Sequence, residues 1–271
     1  MDPELTLPER YQRDGYLVLE RLLAPSDIER MSERITAIAA GQVAGFPAAN
    51  VEYEPGYGDP EPATQPVGPP SQATLVSPGG PAVRKINQCA ERDEVFMQVA
   101  QDPRIVDVVA MLLGPDIKLY GSQCFMKPAG GIEKPYHQDS AYFTIEPLAL
   151  VTCWIALDDV TLDNGCLWVI PGSHLGELHE HSEPWQVGDR VDMQVPEARI
   201  DRLRETPITM PAGSCSFHHS KLLHRSGPNR SLRPRRGLAI HYMSARSRWT
   251  HPSHPQPSYP QIRGQQFEGC V

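Results

Sequence analysis

The chain has 271 residues, a formal net charge of −8, 40% apolar residues and a mean hydropathy of −0.39. That length is enough to bury a full core as one domain, the acidity argues against a nucleic-acid binder, and no apolar run approaches the ~20 residues that span a bilayer. The opening MDPELTLPER has neither a basic n-region nor an apolar h-region and predicts no signal peptide, while six cysteines without a CxxC pair predict free thiols in a reducing cytosol.

Residues 11–23 predict the end of a helix, a turn at Asp14-Gly15 and a strand over Tyr16–Leu19. Ser26-Asp27-Ile28-Glu29 is a capping-box pattern that opens a helix. Ile28, Met31, Ile35 and Ile38 then recur at helical spacing, and Gly41 is the stop. Residues 42–83 hold nine of the 28 prolines and six glycines, with no helix or strand period. A loop that long in a compact domain is functional or disordered: a lid over an active site, or a surface excursion without a direct role.

Helical character returns over 91–113, with Val95, Val99, Val106, Val109 and Leu113 as the buried face and Gly114-Pro115 as the stop. From 117 onward the segments Ile117–Met126, Val151–Leu157, Cys166–Ile170, Ile208–Met210, Ser214–His218 and Arg235–Met243 are β-prone, with Gly, Pro, Asn and Asp between them. Helices first and many short strands after predict a mainly β fold, a sandwich or barrel backed by N-terminal helices. We expect a single domain over 1–271.

The chemistry is carried by His137-Gln138-Asp139, answered 87 positions later by His224 and 11 further on by Arg235. An HxD triplet alone is weak, since His181-Ser182-Glu183 has the same form. On an extended strand, positions i and i+2 share a face, so one backbone segment presents both His137 and Asp139. Two imidazoles and a carboxylate suit non-haem Fe(II) and leave three coordination positions open. His224 is the candidate third ligand, following an apolar strand and preceding the Ser226-Gly227-Pro228-Asn229 turn. His218 and His219 compete for that role. His179, His181 and Glu183 form an HxHxE string with zinc-ligand character, in a polar segment that reads as a solvated loop. Arg235 has the planar guanidinium that grips a carboxylate bidentately, here the far carboxylate of 2-oxoglutarate. Strand alternation through Gly237, Ala239 and His241 puts His241 on the face of Arg235 and turns Arg236 outward.

These motifs carry a resemblance. His137-Gln138-Asp139, the DNGCLWVIPGSH stretch at 163–174, His224-Arg225-Ser226-Gly227-Pro228-Asn229 and Arg235 resemble the phytanoyl-CoA dioxygenase family over roughly residues 8–243. The resemblance implies a double-stranded β-helix (jelly-roll, cupin-like) core, Fe(II), and 2-oxoglutarate and O2 as co-substrates. It implies iron on His137, Asp139 and His224, and 2-oxoglutarate on Arg235 with Ser226 donating beside it. Gln138, Trp154 and Lys85 match positions that border the co-substrate in relatives, and Gln123 falls where relatives often carry a different residue. The PGSH turn is expected to position strand ends.

The expected reaction is hydroxylation of an unactivated C–H of a small organic molecule, with release of succinate and CO2. Asp139 favours that outcome over halogenation, for which related enzymes replace the acid with a small residue. Desaturation, epimerisation and ring formation use the same metal set. Tyr142, Phe143 and Trp168 are candidate substrate walls, and Arg246, Arg248, His251 and His254 in the tail are candidate attractants for an anion. The expected partner is a small molecule, with no nucleic acid and no membrane, for a cytoplasmic monomer or homodimer. Two other classes compete. A non-catalytic metal-binding jelly-roll predicts metal binding without consumption of 2-oxoglutarate; a zinc hydrolase on His179, His181 and Glu183 predicts activation by Zn(II).

Overall fold

The computed structural model describes residues 5–54, 83–187 and 190–271. Most of the Pro/Gly-rich stretch, 55–82, lies outside the described residues, and the expected lid with it. The first part of that stretch is not featureless: Ala48–Asn50 forms a 3-10 turn, and Val51–Tyr53 pairs with Val83–Asn87.

Five helices are described: α1 (Leu7–Asp14), α2 (Pro25–Ala39), α3 (Cys89–Arg92), α4 (Glu94–Ala100) and α5 (Pro103–Leu113). The strands in chain order are β1 (Tyr16–Leu19), β2 (Val51–Tyr53), β3 (Val83–Asn87), β4 (Ile117–Phe125), β5 (Lys134–His137), β6 (Ile145–Glu146), β7 (Leu150–Ala156), β8 (Leu167–Val169), β9 (Glu183–Val187), β10 (Arg190–Gln194), β11 (Thr206–Ile208), β12 (Cys215–His219), β13 (His224–Ser226), β14 (Gly237–Ser244), β15 (Arg248–Trp249) and β16 (Gln261–Arg263).

Local chemistry sets the helix starts. Thr6 and Glu9 close a capping box on α1, with the Thr6 N–H donating to Glu9 Oε2 at 2.8 Å. Helix α2 opens one residue before the expected cap at Ser26. Pro25 takes the first helical position, and Asp27 Oδ2 accepts from the Ala24 N–H at 3.1 Å. The expected helical run 91–113 is three helices, because Asp93 and Asp102 each restart the chain as N-caps, accepting from Val95 N–H and Arg104 N–H.

The larger sheet runs β1-β12-β7-β14-β4-β3-β2, with β16 also on β4; the smaller runs β11-β8-β13-β5. Both are antiparallel throughout. They form the mainly β, double-stranded β-helix fold. Strand alternation divides the larger sheet's two faces. Leu238, Ile240 and Tyr242 of β14 join Cys153 and Ile155 of β7 in a core with Ile35, Phe96 and Val109 from the helices. Trp154, Ala156 and Ala239 face the other way, into a cluster with Leu167 and Val169 of the smaller sheet. Strand β7 is buried at every residue, as expected for a strand covered on both faces.

Some strands lie outside the apolar segments. Strands β5 and β13 are short and polar, and β9 and β10 form a hairpin that begins at Glu183, so the expected solvated loop of the EHSEPW segment holds through Ser182 and gives way to a strand from Glu183. The PGSH turn ties strand ends together as expected. Ser173 Oγ accepts from the Leu223 N–H at 2.9 Å, just ahead of β13, and the buried His174 packs on Gly15. Five of the six cysteines are buried and all are free.

Gly15 ends α1 in the left-handed region, at φ 81°, and a Cβ there would lie 2.4 Å from His174 Nδ1. Gly15→Ala should therefore cost about 1–3 kcal/mol, read as a lower urea midpoint at unchanged m value. An unchanged midpoint would contradict this account of the junction.

Candidate metal centre

His137 closes β5 and His224 opens β13, and the two are cross-strand partners. The sequence therefore brings together residues 87 apart by pairing two short strands. Each imidazole is set by a backbone carbonyl two residues before it: His137 Nδ1 is 2.9 Å from Pro135 O, and His224 Nδ1 is 2.9 Å from Leu222 O. A carbonyl only accepts, so Nδ1 carries the proton and Nε2 presents its lone pair.

Asp139 is not on the strand. Strand β5 stops at His137, Gln138 stays extended (φ −123°, ψ 126°), and Asp139 begins a 3-10 turn. One extended residue is enough to bring the carboxylate round. Its Oδ1 lies 3.8 Å from His137 Nε2 and 3.6 Å from His224 Nε2. The donor atoms of the three residues all lie within 4.8 Å of one another, the one such His/Cys/Asp/Glu group among the described residues. Two imidazoles and a carboxylate in this arrangement fit Fe(II).

The second carboxylate oxygen is also held. Thr152 on β7 donates its hydroxyl to Asp139 Oδ2 at 3.0 Å. That uses the threonine's one proton, so His241 Nδ1, 2.8 Å from Thr152 Oγ1, is the donor in that contact. His218 Nε2 lies 3.7 Å from the same oxygen. His218 thus backs the carboxylate and falls outside the set of three, while His219 turns toward Tyr11 and His174.

Burial pushes the His224 imidazole down to about 4 and His137 well below its ordinary value. For Asp139, burial acts upward, but the imidazoles of His224, His218 and His241 outweigh it and hold the carboxyl well below its usual range. At neutral pH the site therefore presents two neutral imidazoles and a carboxylate, the protonation state that a metal requires.

These residues line one cavity of about 380 Å³ between the two sheets. Arg235 is at its wall, 2% exposed. One Nη donates to Gly165 O at 2.8 Å, the guanidinium lies 5.1 Å over the Trp154 ring, and its Nε has no partner among the described residues. Burial lowers its pKa only to about 10, so it stays charged. A buried cation with an orphaned donor and no ion pair among the described residues fits a carboxylate ligand. Gly237 makes the Trp154 position available, since a Cβ there would meet Trp154 Cζ2 at 1.9 Å. Ser226 on β13 also lines the cavity, as do Trp154, Lys85, Gln123, Tyr142 and Phe143. Lys85 forms an ion pair with Glu52 at 3.1 Å.

Two expected residues are placed elsewhere. Gln138 points away from the cavity because it sits between two positions that face it. Its fully buried amide donates to Lys221 O (2.8 Å) and Glu177 O (3.2 Å) and accepts from His179 N–H (2.8 Å). It pins the His137–Asp139 segment and does not line the cavity. Trp168 has the opposite parity to Leu167 on β8. Leu167 lines the cavity, and Trp168 stacks under Arg225 at 4.9 Å. The tail residues Arg246, Arg248, His251 and His254 are not among the lining residues either. Arg236 pairs with Asp158 at 2.6 Å, away from the cavity as its parity implied. The HxHxE string is not gathered: both His181 nitrogens are engaged, Nδ1 with His179 O and Nε2 accepting the Gln138 N–H.

Thr152 and Lys127 line the cavity without having stood out in the sequence. Thr152 had a signal in its alternation with Trp154 on one strand; Lys127 had none. Thr152→Val keeps the shape and removes the hydroxyl that fixes Asp139. It should weaken Fe(II) binding about 10- to 100-fold in an equilibrium titration, with little change in thermal midpoint. Wild-type affinity would show that Asp139 needs no such support.

The family model described as phytanoyl-CoA dioxygenase matches residues 11–237. The L-proline trans-4-hydroxylase of Streptomyces griseoviridis is 31% identical over 273 residues, covering 93% of this chain and 91% of that protein. The human peroxisomal phytanoyl-CoA dioxygenase is 27% identical, over 89% of this chain and 69% of its own. The solved structure of EctD from S. alaskensis with bound Fe shares the fold at a TM-score of 0.71 and 21% identity, covering 98% of this chain and 89% of that one. The chain thus belongs to the phytanoyl-CoA dioxygenase family of iron- and 2-oxoglutarate-dependent dioxygenases.

Proposed function

We propose that this chain hydroxylates an unactivated C–H bond of a small organic molecule, with His137, Asp139 and His224 holding Fe(II) and Arg235 and Ser226 holding the distal carboxylate of 2-oxoglutarate. The observation that carries the reading is the pairing, in one cavity, of three converging donor atoms with a buried, partly unsatisfied guanidinium. With Fe(II) bound, O2 would be the oxidant and 2-oxoglutarate the two-electron co-reductant: one oxygen atom would go to the substrate as hydroxyl, the other to succinate, with release of CO2. The protein's part is placement. His137 and His224 offer fixed Nε2 lone pairs, and Thr152 keeps Asp139 Oδ1 turned to them. Arg235 on its Trp154 platform fixes the far end of the co-substrate. Trp154 and Gln123 flank it, while Lys85, tied to Glu52, stands at the border.

Asp139 supports hydroxylation, since its carboxylate would hold the metal where halogenases leave room for a halide. Tyr142 and Phe143 wall the substrate side; Phe143 is held by Tyr120 at 4.5 Å and by His241 at 5.3 Å. The name of the proline hydroxylase relative makes free amino acids the first substrates to test. Among the described residues no helix is long and apolar enough to cross a membrane. Unpaired thiols throughout support a reducing, cytoplasmic setting.

Succinate release in the presence of candidate substrates tests the reading. Arg235→Ala should raise the 2-oxoglutarate requirement by on the order of 100-fold and leave that for Fe(II) nearly unchanged. Equal effects on both would remove the assigned clamp. Asp139→Gly should abolish hydroxylation, and wild-type turnover in that variant would take Asp139 out of the metal shell.

A further inference from the structure

Lys127 follows β4 and is 8% exposed. Its ammonium donates to Ser226 Oγ at 2.8 Å and to Gly227 O at 2.6 Å. Its stem runs through a slot kept open by two glycines on separate loops. A Cβ on Gly131 would lie 3.0 Å from Lys127 Cγ, and one on Gly165 would lie 2.8 Å from Lys127 Cδ. The backbone is also constrained. Lys127 has φ 23°, uncommon for a side-chain-bearing residue, and its carbonyl accepts from the Arg235 N–H (3.0 Å) and from Asn229 Nδ2 (3.0 Å). Strain of this kind persists only where surrounding contacts over-determine it. Four separate segments thus converge to hold one lysine beside Ser226 and Arg235.

The direction of the hydrogen bond matters. An ammonium has donors only, so Ser226 Oγ accepts from Lys127 and the serine's own proton must point elsewhere. Ser226 lines the cavity, and no other partner of its hydroxyl is found among the described residues. We propose that Lys127 is a positioning residue for the distal carboxylate of 2-oxoglutarate: it turns the Ser226 hydroxyl into the cavity as a donor. This rests on the reading of Arg235 and Ser226 as the co-substrate clamp. It goes beyond that reading because the selectivity for a dicarboxylate then depends on a lysine outside the clamp.

The test compares two keto acids of equal length, 2-oxoglutarate and 2-oxopentanoate, which has a methyl group in place of the distal carboxylate. Both are titrated anaerobically into Fe(II)-loaded wild type and Lys127→Met, which keeps an unbranched stem for the slot. We expect Lys127→Met to bind 2-oxoglutarate about 10- to 100-fold more weakly, with Fe(II) and 2-oxopentanoate affinities within about twofold of wild type. Equal weakening of both keto acids would reduce Lys127 to a packing role and overturn the proposal, as would unchanged 2-oxoglutarate affinity. If the wild type itself prefers 2-oxopentanoate or binds both equally, the Arg235 clamp has failed first, and the Lys127 role falls with it. A thermal midpoint near wild type for Lys127→Met separates lost binding from lost folding.

Discussion

The rest of this site depends on holding one carboxylate and two imidazoles, largely removed from water, at a spacing that suits a shared metal ion. Asp139 Oδ1 stands 3.6–3.8 Å from both Nε2 atoms, close enough to share a metal and too far for a good hydrogen bond to either. Groups left this way would ordinarily collapse onto one another. They do not, because every other polar atom on them is engaged: each Nδ1 with a backbone carbonyl, Oδ2 with Thr152. The free valences all point to one place. The same logic recurs at the far end of the cavity, where Arg235 keeps an unmatched Nε in a buried wall.

The fold supplies this by pairing strands of unequal character. The larger sheet is a rigid platform, with helices packed on one face and the cavity on the other. Thr152, Trp154, His218, Ala239 and His241 all come from it, at alternating positions. The smaller sheet brings His137 and His224 on adjacent strands. Trp154, Gly237 and Arg235 form a stack in which each makes room for or supports the next. A change at any of them should therefore be felt at the others.

Much of this was legible in the sequence, and the misses have physical reasons. Strands β4, β7, β12 and β14 were plain because their apolar faces bury against helices. Strands β5 and β13 were not, because their side chains serve the site and break the alternation that marks a strand. The three donor residues and Arg235 were visible as motifs. Gln138 is suggested by family position and Trp168 by its aromatic ring, whereas their own parity, opposite to His137 and to Leu167, points them outward. Lys127 was invisible: the glycine slot that holds it is made by residues 131 and 165, and only the folded chain brings these together.

The most direct test of the central claim is an anaerobic titration of Fe(II)-loaded protein with 2-oxoglutarate, followed by visible absorbance. If His137, Asp139 and His224 hold iron and Arg235 receives the far carboxylate, a weak metal-to-ligand charge-transfer band should appear in wild type and be lost in His224→Ala. Iron binding without that band would contradict the account, leaving a metal-binding jelly-roll whose buried arginine has some other ligand.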